Sequence, residues 1–122
     1  MALRRGRGAV WVDPDKEVIT LCDLVEALFP SNEKRKQDAL KLLQLLKREG
    51  TLLAEKWKDY VEELGISRGD FYKTLFFLRR VGMIQRRKRK DGKIGWRLSV
   101  KFSVALRRLA EFWEDFVADE WE

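Results

Sequence analysis

A mainly α fold carrying one small β-hairpin, an α+β domain, is what this sequence predicts, and three observations predict it. Apolar residues recur at spacings of three and four through most of the chain. Glycines at 50, 65 and 82 fall where those periodic runs stop, and the stretch QRRKRKDGKIGWRLS, residues 85–99, switches to alternation around Asp91-Gly92. With 122 residues, 45% of them hydrophobic, the chain has material for one core and is too short for two.

Residues 1–9 carry Arg4, Arg5 and Arg7 among small residues with nothing to bury, and read as a flexible basic arm ahead of a domain spanning 10–122. Such an arm serves equally as a solubilising tail or as a minor-groove contact. Asp13-Pro14 has the form of an N-cap and first helical position. Val18, Leu21, Val25 and Leu28 then mark a first helix that ends before Pro30, although the β-branched run Val18-Ile19-Thr20 opposes it. Cys22, between Leu21 and Leu24, is expected in the core.

Ser31 or Asn32 caps a second helix with Ala39, Leu42, Leu43 and Leu46 on one face, widened by Leu40 and Leu45 and stopped by Gly50. Thr51, Leu52 and Leu53 form a short extended link. A third helix buries Trp57, Tyr60, Val61 and Leu64 and ends at Gly65. In GISRGDFYKTLFFLRRVGMI, Ser67 is the N-cap, Phe71, Leu75 and Leu78 recur at helical spacing, and Gly82 closes the helix before Ile84 opens a strand. Two helices joined by about three residues around a glycine make a helix-turn-helix over about 54–82.

The register of the hairpin, over about 83–99, follows from its apolar residues. A two-residue Asp91-Gly92 turn sets Ile84 on the face opposite Ile94, Trp96 and Leu98. A three-residue loop, Lys90-Asp91-Gly92 with Gly92 at positive φ, instead pairs Ile84 with Leu98, Arg86 with Trp96 and Lys88 with Ile94. Gln85, Arg87, Arg89, Lys93 and Arg97 then share the other face, with Lys90 at the tip. A last amphipathic helix over about 103–119 places Leu106, Leu109, Trp113 and Phe116 on one face, beside Ala105 and Phe112.

Composition removes several function classes. Histidine is absent and Cys22 is the one cysteine, which excludes an internal disulfide, zinc sites of the usual Cys/His kind and every His-dependent triad. Neither a phosphate loop nor a nucleophile motif gathers the remaining Asp, Glu, Lys and Tyr, so no enzyme and no cofactor or metal is expected. No run approaches the roughly 18 apolar residues of a membrane span, and MALRRGRG leads into no apolar signal region, so a cytoplasmic protein is expected, nucleoid-associated if prokaryotic. Charged residues at 38% beside few Asn and Gln hint at a hot environment.

The charge map points further than the total of +6. Between Ser67 and Lys101 stand twelve Lys or Arg against Asp70 and Asp91, net +10, while Ala110 to Glu122 holds six acids and no base. A partner of negative charge is expected at the first segment. Charged edge strands also guard against aggregation, but five basic residues in a row, Arg86 to Lys90, exceed what that needs.

Helix, extended link, helix, glycine turn, helix and basic hairpin together resemble the winged helix-turn-helix superfamily over about residues 32–99, with LGISRGDFYKTLFFLRRVGMIQRR the most specific part. PadR-like and MarR-like regulators share this layout and often dimerise through extra helices. The resemblance implies sequence-selective binding of double-stranded DNA by a transcriptional regulator. Residues 68–81 would enter the major groove, offering Arg68, Gly69, Asp70, Tyr72 and Lys73, with Arg79 and Arg80 at the far end. The wing, 84–98, would lie on the backbone or minor groove through Arg87, Arg89, Lys90, Lys93 and Arg97. Asp70 can equally cap its own helix.

Phe76 and Phe77 depart from the usual polar recognition helix. Either another element covers them, the last helix first among candidates, or this helix meets protein. The stripe Leu106, Leu109, Phe112, Trp113 and Phe116 either closes over its own domain or pairs with a copy in a homodimer that reads a pseudo-palindrome. A winged-helix protein-protein adaptor in a transcription, replication or partition assembly is the alternative, supported by the acidic aromatic tail and the Phe pair.

Overall fold

The computed structural model describes residues 15, 17, 18, 20–29 and 32–121. The basic arm with Arg4, Arg5 and Arg7, the Asp13-Pro14 pair, Pro30 and Ser31 lie outside the described residues. The protein is mainly helical with a small three-stranded antiparallel sheet.

The first helix, α1 (Leu21–Leu28), starts later than its periodicity suggests. Thr20 and Asp23 close a reciprocal cap: the Asp23 N–H donates to Thr20 Oγ1 at 3.2 Å, and the Thr20 N–H donates to Asp23 Oδ2 at 3.0 Å. That arrangement satisfies two amides at once. Val18 is therefore not helical and stands exposed. Cys22, expected in the core, is exposed as well, because α1 turns Leu21, Leu24, Val25 and Leu28 inward and Cys22 falls off that face.

Helix α2 (Glu33–Glu49) is capped by Asn32, whose side chain accepts from the Arg35 N–H at 3.0 Å, and ends at Gly50. Its inner face buries Ala39, Leu42, Leu43, Leu45 and Leu46. Lys36 is buried against α1, with its ammonium 2.9 Å from Glu26 and 3.2 Å from Glu33. Thr51–Leu53, read from sequence as a link, is a strand, β1. A single 3-10 turn, Ala54–Lys56, leads into α3 (Trp57–Leu64), whose Trp57, Tyr60, Val61 and Leu64 all pack on the core. The Leu53 N–H donates to the Tyr60 hydroxyl at 2.8 Å, tying α3 to the start of the sheet.

Helix α4 (Arg68–Val81) begins at Ser67, which accepts from the Asp70 N–H, and buries Phe71, Thr74, Leu75 and Leu78. Strands β2 (Ile84–Lys88) and β3 (Ile94–Leu98) pair in the predicted register, Ile84 with Leu98, Arg86 with Trp96 and Lys88 with Ile94. Gly92 takes φ +88°, and its N–H closes the loop onto the Arg89 carbonyl at 2.9 Å.

A hairpin alone accounts for part of the sheet. Strand β3 is central, because β1 pairs with its other edge, Leu52 opposite Trp96 and Leu53 opposite Gly95. Gly95 permits that approach: a Cβ there would stand 2.8 Å from the Leu52 carbonyl oxygen. The last helix, α5 (Lys101–Trp121), starts two residues before the predicted position, with the Phe102 N–H bonded to the Gly82 carbonyl at 2.9 Å.

Two glycine substitutions separate strain from collision. Gly92→Val meets no atom within 4 Å and suffers only its positive φ, worth about 1–3 kcal/mol; hydrogen exchange should quicken in the hairpin loop while the helices keep their protection. Gly95→Val collides with β1, and should cost about 1–3 kcal/mol and deprotect Thr51–Leu53 first. Equal deprotection of β1 in both variants would contradict this contrast.

Candidate nucleic-acid interface

The rotation of α4 is set from inside. Phe71, Leu75 and Leu78 point to the core, and Thr74 is wholly buried, its hydroxyl donating to the Asp70 carbonyl at 2.7 Å and accepting from Arg35 Nη1 at 3.3 Å. Gly69, Lys73, Phe76, Arg79 and Arg80 are consequently exposed, with Tyr72 half-buried at the flank.

Of the predicted contacts on this helix, Lys73 is exposed, and its charge acts on Asp70 only as the smallest influence on that carboxyl. Arg68 is held differently: its guanidinium lies 4.5 Å from the centre of the Trp57 ring and 5.7 Å from that of Tyr72. A cation–π contact engages the ring face by charge and leaves guanidinium N–H donors for an acceptor. Asp70 turns toward α2, with its carboxylate 3.0 Å from the Lys34 ammonium. That ammonium, together with the Ser67 hydroxyl, holds the Asp70 carboxyl below the usual carboxylate range, and Lys34 is raised in turn. An acid that would repel a polyanion is thereby partly neutralised.

On the hairpin, Arg87 and Arg97 share the outer face with Thr51 and Gly95, and the shallow concavity there is completed by Lys88 and Arg89. Lys90 stands exposed at the tip. Two of the predicted contacts have protein partners: Arg89 reaches Asp91 at 3.2 Å, and Lys93 reaches Glu55 at 2.9 Å. Both pairs are solvent-exposed and so weakly held, typically worth 0–1 kcal/mol.

Between helix and hairpin runs a cleft lined by Tyr72, Leu75, Phe76, Ile94 and Trp96, with Arg79 and Arg86 beside them. The sequence sets Arg79 at the far end of its helix and Arg86 opposite Trp96, off the basic face of the hairpin; the pleat and the helix end bring the two to the same cleft. Arg35 was missed altogether. It shares a depression with Gly69, Tyr72 and Lys73, yet stands 38 positions before Lys73 in the chain, where no local pattern signals it.

The phenylalanine pair divides. Phe77 packs on Phe29, ring centres 4.8 Å apart, so its cover comes from the end of α1 and not from α5. Phe76 is 65% exposed, midway along the outer side of α4.

Among the described residues no helix is long and apolar enough to cross a membrane, and no group of acidic or thiol side chains has the arrangement of a metal site. Residues 20–119 match an archaeal family. No curated protein and no solved structure matches the chain.

The Lys34–Asp70 pair carries a pH signature. Because the native carboxyl is depressed, its contribution is complete above the unfolded pKa of about 3.9 and disappears as pH falls through the lower native value. The stability gap between wild type and Asp70→Asn, measured by denaturant unfolding, should therefore be widest above about pH 5 and close on acidification. A gap independent of pH would show that the pair is not coupled to folding.

Proposed function

The chain belongs to that archaeal family, and we propose that it binds double-stranded DNA sequence-selectively as a winged helix-turn-helix transcriptional regulator. In this reading α4 enters the major groove and the β2–β3 hairpin follows the backbone or the flanking minor groove. The observation that carries it is the net +10 between Ser67 and Lys101, a stretch of sequence whose two acids, Asp70 and Asp91, are each engaged by a cation. The element order α2, β1, α3, α4, β2, β3 supports the same reading.

The two surfaces have different chemistry to offer. Lys73, with Gly69 beside it allowing close approach, and Arg68, held against the Trp57 ring, suit base edges. Arg87, Lys90 and Arg97 suit phosphates, where each contact releases counterions and adds about 0.9 to the slope of log affinity against log salt. Arg89 and Lys93 join them by exchanging a surface carboxylate for a phosphate.

The exposed Phe76 favours a second reading, a winged-helix adaptor that meets protein through α4. The two separate on random duplex at two salt concentrations. DNA binding gives a steep loss of affinity with salt, and an adaptor gives little binding at either.

Within the DNA reading, Arg87→Gln combined with Lys90→Gln should weaken binding to all sequences alike and flatten the salt slope by up to about two units. Unchanged affinity and slope would leave the hairpin as a solvated edge. Lys73→Ala should cost about 1–3 kcal/mol at preferred sites and blur selectivity, as read by competition with random duplex. Equal losses on every duplex would make Lys73 a phosphate contact.

A further inference from the structure

Helix α5 leaves the body of the protein with its apolar face uncovered. Phe102 packs on the core, but beyond it Leu109 is 69%, Phe112 71% and Trp113 60% exposed, and Leu106 and Phe116 are exposed with them. Five of the six, 102, 106, 109, 113 and 116, recur at alternating spacings of four and three, the seam of a two-helix coiled coil. Phe112 flanks that seam. The helix runs unbroken over 21 residues, about 30 Å. It cannot fold back over its own domain without breaking.

The seam does not stop at the root of α5. Phe102 also lines a groove of about 400 Å³ formed with Leu21, Leu24, Met83 and Leu98, with Lys47 among its lining. Groove and seam are one continuous apolar strip. Charge along α5 is polarised as well: Lys101, Arg107 and Arg108 stand in the first half, and from Glu111 onward every charged residue is acidic.

We propose that a second copy of this chain occupies this strip, its α5 antiparallel to the first and its acidic end directed into the groove. A parallel pair would set the two acidic halves side by side and leave both grooves empty. The antiparallel pair sets each acidic half beside a basic one, and a two-fold axis makes one seam complementary to itself. In the register that alternates seam positions, Leu106 lies opposite the partner's Phe116, Leu109 lies opposite the partner's Trp113, and Phe112 approaches its own copy near the axis. This arrangement is independent of what α4 and the hairpin bind.

Cross-linking decides the orientation. In a Cys22→Ser background, a mixture of differently tagged Leu106→Cys and Phe116→Cys chains should form the mixed disulfide on oxidation, while Leu106→Cys alone should not. Self-linking of Leu106→Cys would mean a parallel pair and overturn the proposal. A wild-type monomer by light scattering at tens of micromolar would overturn it too, as would a dimer in which neither disulfide forms. Leu98→Glu, at a groove position already 39% exposed, should raise the dimer dissociation constant at least tenfold with the circular dichroism unchanged. An unaltered constant in that folded variant would remove the groove from the interface.

Discussion

The burial of Phe71 is the contact on which the rest of the molecule depends. Its ring is wholly enclosed and meets Tyr60 of α3 at 6.2 Å, Tyr72 of its own helix at 5.4 Å and Trp96 of β3 at 6.2 Å. Three separate elements converge on one side chain. Truncating such a ring costs on the order of 3–5 kcal/mol, a large part of the 5–15 kcal/mol that hold a typical domain. Because Phe71 can face only inward, the angular position of Gly69, Lys73 and Phe76 on the outside of α4 follows.

Electrostatics reinforces this packing from the other side of α4. The first turns of α2 present three consecutive cations to five side chains: Lys34 to Asp38 and Asp70, Arg35 to the Thr74 hydroxyl, and Lys36 to Glu26 and Glu33. Lys36, buried to 8% exposure, is held above the usual lysine range first by Glu26. Carboxylates are thus consumed where helices meet, and the hairpin keeps most of its positive charge. The sequence leaves α5 with an acidic end, from Glu111 onward.

Much of this was legible in the sequence. Helices α2 and α4 could be read because apolar periodicity, a Ser or Asn cap and a closing glycine agreed with one another at each end. The hairpin register followed from a single requirement, that Ile84, Ile94, Trp96 and Leu98 share a face. Helix α1 misled because its apolar spacing extends through Val18, whereas the reciprocal cap of Thr20 and Asp23 places the first turn later. T-x-x-D is a short signal, easily outweighed by a longer pattern.

What the sequence by itself determined is whatever depends on neighbours a few residues apart: helix faces, caps, the three-residue loop with Gly92, and the segregation of charge into a basic middle and an acidic end. Tertiary structure alone decided that Thr51–Leu53 becomes the third strand, since a strand of three residues has no periodicity of its own and exists only against the edge that Gly95 leaves open. It also decided that Asp70 turns to Lys34, that Arg68 lies on Trp57, and that Phe77 finds Phe29 while Phe76 does not find cover. Each of these depends on elements that meet only in the folded chain, and the identity of such partners is set by packing in three dimensions, which no local spacing encodes.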